Sequence, residues 1–91
     1  YVIEHGRART YLSFQHGPIG EHGRNGAPDV AVAAVLRDRV AVFAETWPCS
    51  ANSRMLAAID EFIDAANERT RKRVAAGVEG TNAKTAEEAS A

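Results

Sequence analysis

The chain has 91 residues, a formal net charge of −1 and 45% hydrophobic residues, many of them alanine. That length allows one small domain with a thin core, for which oligomerisation is the usual remedy. The near-neutral charge excludes a nucleic-acid polycation, no apolar run approaches the ~20 residues of a membrane span, and the single cysteine, Cys49, has no internal disulfide partner, so a reducing, intracellular setting is expected.

Residues 1–16 are mixed. Within them Thr10–Gln15 (TYLSFQ) is rich in β-branched and aromatic residues, which predicts a short strand. Residues 17–27 read as a glycine-rich loop. They overlap FQHGPIGEHGRNG, residues 14–26, which holds four glycines, one proline and two histidines. From about Pro28 to Glu45 the pattern turns helical, because Val32, Val35, Leu36, Arg39, Val40 and Phe43 recur at spacings of three and four. Pro28 suits a first helical turn and Asp29 suits the helix dipole, with Asn25 or Gly26 near the cap.

Thr46–Ser50 (TWPCS) breaks that helix, since Pro48 disfavours helical geometry at Trp47. Ser50 or Asn52 is the expected cap of a second helix. Its apolar stripe comprises Met55, Leu56, Ile59, Phe62, Ile63, Ala66, Thr70 and Val74, and it runs to about Ala76 with Gly77 as the residue after its end. GVEGTN follows, then AKTAEEASA, a polar and alanine-rich tail expected to be disordered over residues 83–91. The expected fold is mainly α: an antiparallel two-helix hairpin with helices at about 28–45 and 51–76, and a small N-terminal β portion. It is α+β overall, one domain over residues 1–82. Two helices that bury one stripe each leave little apolar area for a stable monomer, so an oligomer is expected.

Arg69, Arg71, Lys72 and Arg73 form the run RTRKR. Such a run at a helix C-terminus is ordinarily a solvated end, favourable to the dipole. The hairpin adds a second reading. In an antiparallel pair turning near residues 46–51, residue i faces roughly residue 97 − i. The basic run then lies beside the first helix's N-terminus and the glycine loop. Unpaired N–H groups, close backbone approach and arginines together make an anion site, to which Arg24 adds.

His16 and His22, with His5 upstream, lack the partners and spacing of a zinc site, and no metal or cofactor is expected. Cys49 has no activating signature for a nucleophile. Asp60, Glu61 and Asp64 read most simply as a solvated face. Paired carboxylates holding magnesium would instead suggest a small nucleotide hydrolase, but no phosphohydrolase motif accompanies them. Phe43 and Trp47 close the hairpin core in one reading and stack on a base or fill an interface in another.

Four runs carry a family resemblance: Ser13–Gly26 (SFQHGPIGEHGRNG), Arg37–Phe43 (RDRVAVF), Cys49–Asn52 and Asn67–Thr81 (NERTRKRVAAGVEGT). In this order they resemble the small phage proteins called Thoeris anti-defence sponges, of the Acb/Tad hairpin type. The resemblance spans about residues 13–82. It implies a non-enzymatic protein in the cytoplasm of the infected bacterial host, acting without membrane or nucleic acid. Such proteins sequester cyclic ADP-ribose isomers (gcADPR-type) made by a bacterial TIR protein, and some also hold cyclic di- or trinucleotides of CBASS defence. They assemble as dimers through the helices, in some members as hexamers. By the same resemblance Phe43 is the aromatic that stacks on the base, Arg69 the arginine near the phosphates and Asn52 a polar pocket residue. Arg73 and the Gly77–Thr81 segment, including Thr81, are further contacts. Ser50-Ala51 stands where the family usually has Arg-Glu, which weakens the expectation of a cyclic-oligonucleotide pocket. The competing reading is a small dimerisation or anion- and nucleic-acid-binding module with no signal ligand.

Overall fold

A computed structural model describes residues 1–90. Its elements, in chain order, are β1 (Val2–His5), β2 (Ala8–Tyr11), α1 (Ile19–His22), α2 (Asp29–Thr46), α3 (Ser50–Ala75) and α4 (Ala86–Ser90). The described residues are thus mainly helical, with a small two-stranded antiparallel sheet at the N-terminal end.

The β portion is a hairpin, placed earlier than TYLSFQ predicts. Val2 pairs with Tyr11, Ile3 with Thr10, Glu4 with Arg9 and His5 with Ala8. Gly6 turns the chain at φ +63°, a conformation that only glycine adopts without cost. Leu12 N–H donates to the Tyr1 carbonyl at 2.9 Å and extends the pairing. The expected strand Thr10–Gln15 therefore ends at Tyr11. Beyond it Phe14 forms a parallel bridge with Ala27 instead, so this stretch ties the loop to the start of α2.

α2 and α3 are joined by Trp47–Cys49 and pack against each other. Contacts meet in opposite order along them. Asn52 Nδ2 reaches the Phe43 carbonyl, Arg37 pairs with Asp60, and Asp29 lines one cleft with Arg69. The caps differ by a residue or two from expectation. Pro28, not Asn25 or Gly26, is the N-cap of α2, and it offers no side-chain hydrogen bond. Cys49, rather than Ser50 or Asn52, caps α3, its Sγ accepting from Asn52 N–H at 3.4 Å. Asn52 turns the other way: its Nδ2 donates to the Trp47 carbonyl at 2.9 Å and closes the end of α2.

α3 ends in a Schellman motif. Val78 N–H donates to the Arg73 carbonyl and Gly77 N–H to the Val74 carbonyl, both at 3.0 Å, with Gly77 at φ +73°. The tail expected to be disordered over 83–91 carries α4 at Ala86–Ser90; residue 91 lies outside the described residues. Thr85 and Glu88 form a reciprocal capping box: Glu88 N–H donates to Thr85 Oγ1 and Thr85 N–H to Glu88 Oε1. That box, and ion pairs back to α3, order a segment whose composition alone reads as disorder.

Very little is enclosed. Val40, at 6% exposure, is the buried hydrophobic residue among those described. Val35, Leu36 and Val42 on α2 and Met55, Phe62 and Val74 on α3 stay exposed. No helix among the described residues is long and apolar enough to cross a membrane.

Candidate functional site

A cleft of about 540 Å³ opens where the glycine-rich loop, the start of α2, the last turns of α3 and the segment after α3 converge. Each wall is held by identifiable bonds.

The loop wall is pinned by two amide side chains. Gln15 Nε2 donates to the Gly23 carbonyl at 2.8 Å and its Oε1 accepts from Asn25 N–H at 3.1 Å. Asn25 reciprocates on His16, accepting from its N–H and donating to its carbonyl, both at 2.7 Å. Between these anchors Pro18 starts α1, one helical turn within the stretch expected to be an irregular loop. Gly20 N–H, unused inside so short a helix, donates to the Gly80 carbonyl at 3.0 Å. A Cβ at Gly20 would stand 2.6 Å from that oxygen, so this contact between the loop and the GVEGTN segment requires glycine.

The lining on the helices is set by spacing. Phe62, Ala66, Arg69 and Arg73 recur at three and four along α3 and face the cleft with Asp29 and Val30 at the start of α2. Glu79, Gly80, Thr81 and Asn82 complete the rim. The charges are mixed, since Asp29 and Glu79 carboxylates stand among the arginines.

The two cleft arginines differ. Arg73, with its side chain 12% exposed, pairs with Glu79 and Glu88. Glu88 is held below its ordinary range, first by the Thr85 backbone N–H and then by Arg73. Arg69 is exposed and enters none of the ion pairs found among the described residues. Lys72 is drawn toward Glu87 and Glu68, which raise its pKa, the hydrogen bond to Glu87 most. Within the RTRKR run Lys72 and Arg73 are thus engaged with carboxylates of their own chain, whereas Arg69 and Arg71 enter no ion pair among the described residues; of these two, Arg69 lines the cleft, with Glu88 close enough to feel its charge.

Of the residues selected from sequence, the structure brings Arg69, Arg73 and Thr81 to this cleft. Phe43 and Asn52 sit together at the turn between α2 and α3, bonded through the Phe43 carbonyl, and do not line it. One chain alone does not gather all of them. Arg39 lies over the Phe43 ring at 4.9 Å, and Trp47 packs on it at 6.0 Å with a 50° tilt. Arg24 is exposed and is not among the lining residues. Asp60, considered for metal binding, instead accepts from Arg37, a hydrogen bond that lowers its pKa and raises that of Arg37. Sequence reasoning missed Gln15, Asp29 and Asn82 as lining residues, whereas Glu79 lies within the expected Gly77–Thr81 segment. The signal for Gln15 was present, since it lies in the SFQ run.

No family model matches the chain. Among curated proteins it is 34% identical over 74 residues to "Thoeris anti-defense 1" of Bacillus phage SBSphiJ7. The matched stretch is 80% of this chain and 52% of that relative, so the chain spans about half the relative's length. With the loop, the two long helices and the GVEGTN segment all in place, this likeness assigns the chain to the Thoeris anti-defence family.

Proposed function

We propose that the chain is an anti-defence protein that binds a cyclic ADP-ribose isomer and sequesters it without cleaving it, so that Thoeris immunity is starved of its signal. The observation that carries this reading is Arg69. It is an arginine that enters no ion pair among the described residues, placed in a cleft walled by glycine-rich backbone. Arginine suits bidentate phosphate contacts. The mixed lining favours a nucleotide over a bare anion. Arg69 meets phosphate, while Asp29 and Glu79 accept hydrogen bonds from ribose hydroxyls.

Phe43 and Asn52 enter this reading through a second copy of the chain. Their separation from the cleft in one chain, together with the exposed apolar helix faces, supports a pocket completed across a homodimer, or within a hexamer of such dimers. A sponge works by mass action, and a nanomolar affinity corresponds to about 12 kcal/mol of binding free energy. One chain's open cleft is poorly shaped for that; closure by a partner excludes water and strengthens each charged contact. A cyclic-oligonucleotide pocket is the weaker extension, because Ser50-Ala51 supplies no arginine there.

Thermal shift with a gcADPR-type isomer tests the reading. The expected outcome is a large rise in Tm, with chemically intact nucleotide recovered on heating. Arg69→Ala is expected to abolish the rise while leaving the ligand-free Tm and the oligomer mass unchanged. New chemical products after long incubation would turn the reading into a hydrolase. Salt-sensitive binding to DNA with no nucleotide effect would favour the plain anion-binding module.

A further inference from the structure

Arg73 lines the cleft, yet its donors are spent inside the chain. Its Nη2 donates to the carbonyls of Val78, Thr81 and Ala83, each at 3.1 Å. Its Nη1 donates to Glu88 and its Nε lies 3.4 Å from Glu79. Its own carbonyl accepts from Val78 N–H. All three guanidinium nitrogens are engaged, the side chain is 12% exposed, and two carboxylates offset its charge.

We propose that Arg73 is a positioning residue and not a ligand contact: it clamps residues 78–83 and α4 against the end of α3 and thereby builds the cleft wall that carries Glu79–Asn82. The segment it holds has no other regular structure. Val78–Asn82 is a run of turns, and turns beyond a helix end are ordinarily mobile. Three carbonyls converging on one nitrogen give that run a single shape. Thr81 Oγ1 helps by donating to the Val78 carbonyl and accepting from Ala83 N–H. The Gly20–Gly80 bond then transmits the position of this wall to the glycine loop. Glu88 locks the arrangement, since Oε1 accepts both from Arg73 and from Thr85 N–H. A lysine at position 73 keeps the charge but cannot reach three carbonyls and two carboxylates at once, because its ammonium is a compact point with three donors.

The proposal rests on the nucleotide reading of the cleft for its effect on affinity, but not for the clamp itself. The first measurement is therefore hydrogen exchange on the ligand-free protein. Arg73→Lys is expected to speed amide exchange across residues 78–88 by about tenfold or more while α2 and the first half of α3 keep their rates. The second is gcADPR affinity as a function of salt. Arg73→Lys is expected to weaken binding with the wild-type salt dependence, because lysine keeps the charge at position 73 and loses only the clamp. Arg69→Gln is expected to weaken binding with a shallower salt dependence and unchanged exchange. Glu88→Gln serves where Arg73→Lys does not fold: it leaves every cleft-lining side chain in place and is expected to speed exchange in residues 83–90. Wild-type exchange rates at 78–88 in Arg73→Lys, or at 83–90 in Glu88→Gln, would overturn the clamp. If the wild-type protein binds no gcADPR, the nucleotide reading fails and the exchange rates still decide the clamp.

Discussion

Several residues here do a different job from the one their chemistry advertises. Asn52 is polar and central in the sequence runs, yet its amide closes the carbonyl end of α2 on Phe43 and Trp47. Cys49 carries a thiol with no activating signature in the sequence, and it serves as the N-cap of α3. A thiol accepts a hydrogen bond weakly, and the Sγ contact with Asn52 N–H is correspondingly long at 3.4 Å. Serine is among the preferred N-caps, and losing such a cap to alanine costs about 0.5–2 kcal/mol. Cys49→Ser is therefore expected to raise stability, by up to about 1 kcal/mol, and Cys49→Ala to lower it. Urea unfolding of the three proteins measures this. A Cys49→Ser protein less stable than wild type would mean that the thiol is held by packing and not by its cap bond.

At the scale of elements, the two long helices were legible and the small ones were not. The stripes through Val32–Phe43 and Met55–Val74 repeat for several turns, so a slip of one or two residues at a cap leaves α2 and α3 recognisable. β1 and β2 have four residues each, all exposed, and show no apolar alternation to read. The cleft was legible in outline, because the hairpin geometry brings residue 69 beside residue 28. Its GVEGTN wall was legible only as a run, since the carbonyl directions that Arg73 gathers have no sequence signature.

α4 is the instructive miss. TAEE is a capping-box sequence, but the box lies in a tail whose composition outweighs it. What fastens the element is charge: Glu87 on Lys72 and Glu88 on Arg73. Because the folded state lowers the Glu88 pKa, it prefers the charged form. That stabilisation is full above the pKa of an unfolded glutamate, ~4.3, and is lost as pH falls through the lower folded value. Limited proteolysis within residues 83–90 is therefore expected to be slow at neutral pH and to accelerate on acidification through that window, while α3 stays intact. Glu88→Gln is expected to be cut readily at both pH values. A tail equally resistant on both sides of the window would show that α4 is held by something other than this carboxylate.

At the scale of the molecule, the arithmetic of burial governs. Val40 alone does not make a core, and large apolar side chains outnumber it on the surface. Val35 on α2 and Phe62 on α3 are 73% and 50% exposed. Both belong to the helical stripes that should be inside. Fully burying one such side chain is worth about 1.5–3 kcal/mol, so covering this set is of the order of a small domain's entire stability. A second copy of the chain offers the same stripes and is the cover that the proposed homodimer supplies. Stability is then inseparable from concentration, and Tm is expected to rise with protein concentration over the micromolar range. Val35→Glu separates the alternatives. In a monomer it replaces a side chain already in water, and such surface changes stay within about 0.5 kcal/mol. In a dimer it buries an unpaired charge at the interface and is expected to reduce the mass in solution to that of one chain, lower Tm and abolish gcADPR binding together. Light scattering on the wild type and Val35→Glu, with thermal shift on the same samples, reads all three. A Val35→Glu protein that keeps the wild-type mass would place the interface on another face of the hairpin. A wild type that runs at the mass of one chain and still binds gcADPR would require Phe43 and Asn52 to be dropped from the pocket, leaving Arg69 and the glycine-walled cleft to hold the nucleotide alone.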